Sequence, residues 1–273
     1  MPVRSLPWAT CSARRICIGA VLYNFCYGIS SGGAVSREFF PISIIVLMFA
    51  IGFFADPFVH TNASGEMVSH WSADGVADGW IQKPLGIYLI PYIAVVFYLI
   101  FLIVPLIGVY QKNVEHFAEQ FWGFKVIFVF MMAAIYIATL APALGLWGNF
   151  DPLYIIVPAI ALLFFYVGHM LSFTRRNYFI GIRTPWTLAD ERVWEKTNHL
   201  GSRLFWICGA LALISLVSPI DMRLWIVLLP IIFTVICVYL YSLYLYGKTR
   251  HAHEKGKDAA GKKSKMAARK SRR

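Results

Sequence analysis

Leu85-Gly-Ile-Tyr-Leu-Ile-Pro-Tyr-Ile-Ala-Val-Val-Phe-Tyr-Leu-Ile-Phe-Leu-Ile-Val-Pro-Leu-Ile-Gly-Val-Tyr110 contains no charged side chain. As a helix rising about 1.5 Å per residue, it exceeds the length needed to cross a hydrocarbon core of about 30 Å. It is apolar on every side, so it offers neither a water-facing stripe nor the alternation of a strand. Such a run is a membrane span. The rest of the 273-residue chain agrees, with 59% hydrophobic and 14% charged residues and a mean hydropathy of +0.63. That composition excludes an ordinary soluble domain.

With this run placed at 84–110, further spans are read outward at 39–55, 123–147, 153–173, 204–219 and 223–246. The 204–219 stretch is the shortest and relies on Arg203 or Arg223 snorkelling at its ends. Each stretch exceeds the roughly ten alternating residues of a membrane β-strand. The expectation is an all-α integral membrane protein, a six-transmembrane helical bundle. Residues 1–38 form a leader, 39–110 the first two spans with a connector at 56–83, and 111–246 a four-span region with a polar loop at 174–203.

Basic residues set the orientation. Lys112 and Lys125 flank the second connector, and Arg175, Arg176, Arg183, Arg192, Lys196 and Arg203 lie in or beside the fourth. The tail after Tyr246 holds Lys248, Arg250 and nine more. By contrast, the first connector has only Lys83, the third (148–152) none, and the fifth Arg223. Charge alternates with loop number, which predicts a multi-pass protein of the cytoplasmic membrane with both termini in the cytoplasm. The tail, 247–273, is basic and lacks apolar periodicity, so it is expected to be disordered and drawn to anionic lipid rather than to bind nucleic acid directly. Five cysteines, Cys11, Cys17, Cys26, Cys208 and Cys237, form no CxxC pair, so neither a disulfide framework nor a zinc site is indicated.

The leader pairs Arg14 and Arg15 with an apolar stretch, Ile16–Ile29, interrupted by Asn24 and Tyr27. It is read as interfacial, or as the product of a start codon upstream of the natural one. About 14 apolar residues are short for a seventh span.

The first connector contains Ser69-His-Trp-Ser-Ala-Asp-Gly-Val-Ala-Asp-Gly-Trp80, with Lys83 following. Its two Asp-Gly pairs, Asp74-Gly75 and Asp78-Gly79, are turn signals, and an extended piece returning through a compact turn is expected. His60, His70, Asp74 and Asp78 have ligand chemistry but match no metal motif. Aspartates closing turns, with His70 and Trp71 packed at the interface, are the favoured reading, so no metal and no cofactor is expected. Asn62-Ala-Ser64 is a glycosylation sequon that matters only in a host that glycosylates secreted chains. His169, near the end of the fourth span, is read as interfacial rather than as a proton relay.

The inner polar loop reads Asn177-Tyr-Phe-Ile-Gly-Ile-Arg-Thr-Pro-Trp-Thr-Leu188, then Ala-Asp-Glu-Arg-Val-Trp-Glu-Lys-Thr-Asn-His-Leu-Gly201. Gly181 and Pro185 constrain the backbone, and Pro185 disfavours helix at Thr184. Thr187 is the expected N-cap of a helix from Leu188 to His199 that ends at Gly201, with Asp190 three residues on. Its face of Val193, Trp194, Thr197 and Leu200 is expected to lie in the membrane interface. On physical grounds two readings stand level: a seat for the fourth and fifth spans, or a docking surface anchored by Arg183 and Trp186.

These residues resemble the signature of the SdpI family: Asn177, Gly181, Arg183, Thr184, Pro185, Trp186 and Thr187, then Val-Trp-x-Lys-Thr-x-x-Leu-Gly with Trp194 and Lys196. The first connector, with His70, Trp71, Asp74, Gly75, Asp78, Gly79 and Lys83, is similar to the small membrane domain that precedes that signature. Departures are the leader, the basic tail, and a second connector, Gln111-Lys-Asn-Val-Glu-His116, without the expected Asp-Pro. The resemblance implies a non-enzymatic membrane protein that protects its cell from a membrane-active toxin, the outer loop meeting a peptide toxin. It also implies that the inner motif serves as a cytoplasmic output surface, at which the family's namesake holds a transcriptional repressor. Two alternatives stand beside it. One is a membrane enzyme or small-solute transporter using the outer His and Asp residues with Arg183. The other is a scaffold whose loops only shape the bundle.

Overall fold

A computed structural model describes residues 33–72, 77–103, 118–146, 151–178 and 180–270. Two compact units divide the chain, 1–40 and 41–273, and the first contributes only the opening turns of one helix to the described residues. The leader up to residue 32 lies outside those residues, as do Asp74, Gly75 and the 111–116 connector.

In chain order the elements are α1 (Gly33–Ala55), a short 3-10 turn (Asp56–Phe58), strands β1 (Glu66–Trp71) and β2 (Ala77–Gln82), then α2 (Lys83–Ile103) and α3 (Ala118–Ala143). They continue with α4 (Leu153–Phe173), α5 (Pro185–Ala189), α6 (Glu191–Ser215) and α7 (Ile220–Lys270). Among the described residues, five helical segments are long and apolar enough to cross a membrane: Arg37–Phe58, Lys83–Ile103, Ala118–Ala143, Leu153–Phe173 and Ile220–Arg250. The protein is a mostly helical, multi-pass membrane protein. Prolines at 41, 91, 142, 158 and 230 sit inside these helices, each removing one backbone donor from the ladder.

The expectation of an all-α chain is corrected in the first connector, where β1 and β2 form an antiparallel hairpin. Its register pairs Glu66 with Gln82 and His70 with Gly79, with irregularities on either side of His70. Buried Met67 seats it, and Gly86 at the start of α2 leaves no room for a Cβ, which would fall 2.6 Å from the Met67 sulfur. The hairpin thus closes one end of a core built from Ile45, Met48, Ile87, Tyr98, Val129 and Tyr136.

The helices run between two ends. The hairpin contacts the start of α2, and the segment leading into it reaches the end of α3, where the His60 amide donates to the Ala143 carbonyl at 2.7 Å. The opposite end of α2, at Ile100 and Phe101, shares an apolar groove with Ile180, Gly181 and Ile182 of the polar loop. α4 ends at that loop, while Asp151 before its start binds Arg223 in the first turn of α7 at 2.8 Å. α7 returns to the loop end, where Thr184 donates to Ser242 at 3.0 Å. Hairpin and polar loop therefore occupy opposite ends of the bundle.

α6 revises the 204–219 span and the interfacial helix together. One unbroken helix begins at the loop and carries on to Ser215, so Gly201 is interior to it rather than a stop. Asp190 is its N-cap, accepting from the amides of Arg192 and Val193. Gly201 serves close packing instead, since a Cβ there would collide with Ile182. Val193, Trp194 and Thr197 are buried within the protein, not laid on the membrane interface. On the α4 side, a Cβ on Gly168 would lie 2.8 Å from the Ser202 carbonyl oxygen, so the two backbones nearly touch. Gly201, Ser202, Cys208, Gly209, Ala212 and Ser215 form the buried stripe of small residues that permits this approach.

Two further expectations change. The tail is helical as far as Lys270, since Ala, Lys, Arg and Met favour helix and no proline follows Pro230. Lys125 does not flank a connector. It is buried in α3, its ammonium 5.9 Å from the ring centroids of Tyr98 and Phe121, where aromatic faces attract it.

Candidate functional site

The polar loop is built from side chains that replace missing backbone partners. After α4 the chain leaves helix at Thr174, and Asn177 turns it. The buried Asn177 amide donates to the carbonyls of Arg175 (2.7 Å) and Ile180 (3.0 Å), and its oxygen accepts from the Ile180 amide at 2.7 Å. Gly181 then adopts φ +121°, a conformation that L side chains rarely take. A Cβ there would also sit 2.8 Å from the Trp194 ring and 3.0 Å from the Asn198 oxygen.

α6 holds the other wall. The Trp194 indole, 1% exposed, donates to the Thr174 carbonyl at 2.9 Å. Asn198, one turn on, accepts from the Ile182 amide at 2.9 Å and donates to the Trp194 carbonyl at 2.9 Å. Thr184 is the N-cap of α5, in place of the expected Thr187 at the start of a longer helix. Pro185 occupies the first helical position, which needs no amide donor. Thr184 and Thr187 complete a reciprocal capping box, and the Thr187 hydroxyl also donates to the Ile182 carbonyl at 2.9 Å. The Trp186 ring meets Tyr239 of α7 edge-on at 5.2 Å.

Asn177, Gly181, Thr184, Thr187 and Trp194 are therefore brought together in one buried lock. Arg183, Pro185 and Lys196 lie on the surface, and Arg183 donates to the Tyr178 carbonyl. The sequence reading missed Thr174, Asn198, Tyr239 and Ser242. Only Asn198 carried a signal, one helical turn beyond Trp194 and so on the same face.

At the opposite end, His70 and Asp78 pair at 2.6 Å with side chains 71% and 46% exposed, a pair that contributes at most about 1 kcal/mol. Lys83 pairs with Asp56 at 3.3 Å, and a Cβ on Gly79 would fall 2.8 Å from that of His70. The Asn62 oxygen accepts from the amides of Ser64 and Glu66, so the sequon asparagine ties the turn into β1. No group of three His, Cys, Asp or Glu side chains capable of holding a metal occurs among the described residues.

Comparison with known proteins follows the same residues. Residues 174–243 match the model of the SdpI/YfhL protein family. The chain is also 28% identical to Immunity protein SdpI of Bacillus subtilis (strain 168) over 210 residues, covering 76% of this chain and 97% of that protein. No solved structure matches. The resemblance carried by the loop residues thus extends through the family segment and over most of the bundle.

Proposed function

We propose that this protein is an immunity-type membrane protein that protects its cell from a membrane-active peptide toxin. Similarity along nearly the whole length of a protein named for immunity carries this reading. In it, all of α1, α2, α3, α4, α6 and α7 cross the membrane, with both termini and the 174–203 loop in the cytoplasm. The charge alternation supports that orientation, and the course of α6 from the loop at Asp190 to the Arg223 end supports the sixth crossing. The hairpin then faces outward and meets the toxin through His70, Trp71, Asp78 and Lys83. Arg183 and Lys196, on the far side, form the output surface for a cytoplasmic repressor.

No observation favours the enzyme or transporter reading over this one: the apolar groove beside the loop is lined by none of His70, Asp78 and Arg183. The division of labour is tested by paired variants in a toxin-sensitive host. His70→Ala with Asp78→Ala lowers survival at unchanged membrane abundance, while Arg183→Ala leaves survival intact and alters only a repressor-driven reporter. Equal loss of survival from both sets, tracking lost abundance, contradicts the division.

A further inference from the structure

Beside the lock described above lies an open cleft of about 430 Å³, lined in part by the lock's own Thr174, Trp194 and Asn198. One wall is the last turn of α4 and the residues after it, Leu171 to Arg176, and the other is the first turns of α6, with Glu191, Glu195 and His199. The two walls are held at fixed separation by the Trp194 bond to the Thr174 carbonyl. Charges of both signs line this one space, yet among the described residues no ion pair joins Arg175 to Glu191 or Glu195. Arg176 also donates to the Leu188 carbonyl at 3.4 Å.

Depth narrows the ligand. Leu171, Ser172 and Phe173 close a membrane span, and Phe173 is 55% exposed. The cleft therefore opens where acyl chains give way to headgroups. An apolar groove of about 410 Å³, lined by Phe101, Phe124, Met170, Ile182 and Phe205, shares Leu171 with it and offers one acyl chain a place.

We propose that the cleft binds the headgroup of an aminophospholipid from the adjoining leaflet, a phosphodiester against Arg175 and Arg176 and a primary ammonium against Glu191 and Glu195. Planar guanidinium groups match phosphate oxygens, and carboxylates accept from a primary ammonium. An anion-only headgroup leaves the two carboxylates facing a like charge. A quaternary ammonium has no proton to donate. The site therefore ranks phosphatidylethanolamine above phosphatidylglycerol and phosphatidylcholine. It stands independently of the toxin reading, because a lipid site can be present in a protein that protects from nothing.

The test is native mass spectrometry of the full chain released from detergent with equal amounts of the three lipids. The expected result is about tenfold more retained phosphatidylethanolamine than phosphatidylcholine, a difference within the range of one or two charge-assisted hydrogen bonds. Glu191→Gln with Glu195→Gln removes the preference over phosphatidylglycerol, and Arg175→Ala lowers retention of all three lipids, with melting temperatures unchanged. Equal retention of all three lipids by the unaltered protein overturns the proposal without recourse to any variant. Preference surviving in both variants overturns it as well. If water-soluble glycerophosphoethanolamine displaces the lipid at equal concentration, the ligand is a soluble phosphoamine and the membrane source is wrong.

Discussion

The Trp194 indole N–H donates to the Thr174 carbonyl at 2.9 Å, joining the end of α4 to the first turn of α6 across 20 residues of sequence. Both residues are buried, so the bond is made where water cannot replace it. Trp194→Phe keeps most of the ring but leaves that carbonyl without its partner. It is expected to destabilise the protein by about 1–3 kcal/mol, and Trp194→Ala by about 3–5 kcal/mol. Thermal melting of the purified protein in detergent checks both, and a Phe variant as stable as the parent contradicts the assignment.

Gly65 and Gly181 separate backbone strain from crowding. Both have positive φ, +75° and +121°, but Gly65 has open space where a Cβ would go and Gly181 has the Trp194 ring. Gly65→Ala is expected to lose about 1–2 kcal/mol from backbone strain alone. Gly181→Ala adds a collision with a side chain that cannot move, so its melting temperature falls further. Equal losses at the two sites would mean that the ring yields.

Thr184 and Ser242 lie 58 residues apart and bond at 3.0 Å in a buried setting. A double-mutant cycle with Thr184→Val and Ser242→Ala is expected to give a coupling of about 0.6–1.7 kcal/mol, the range seen for hydrogen bonds between membrane helices. Strict additivity would show that α7 does not hold the loop through this pair.

Arg223 and Asp151 form an ion pair with side chains only 16% and 20% exposed. Asp151 also accepts from the Leu153 amide at 2.9 Å, a bond that Asp151→Asn can retain. That variant therefore isolates the charge, and about 1–3 kcal/mol of stability is expected to be lost. Exchanging the two residues recovers part of the loss. Added salt shifts the parent's melting temperature little, because the pair is largely shielded from solvent.

The spans were legible because lipid demands about 20 consecutive apolar residues, a requirement visible without tertiary context. Leu153–Phe173 was read with the bounds it has. α6 was not, because its first half is solvated by the protein itself. Thr197, Asn198 and Ser202 are buried against neighbours that local sequence does not name. Two threonines three residues apart misled the capping assignment, although Pro185 at the first helical position already pointed to Thr184. The Asp-Gly pairs were read as turns beside one extended piece, but Asp78 and Gly79 lie within β2, and Asp74 and Gly75 fall outside the described residues. Ser242 and Thr174 carried no signal, since their partners are set by how α4, α6 and α7 meet.

Protection of a cell from a membrane-active peptide toxin is the role proposed for this bundle. The most direct measurement is survival of a toxin-sensitive bacterial strain expressing the full chain, at membrane abundance verified by blotting, during exposure to secreted toxins of the kind that SdpI-type proteins counter. Survival well above that of the strain carrying an empty vector is expected. Unchanged killing at full abundance, by every such toxin tried, would contradict it.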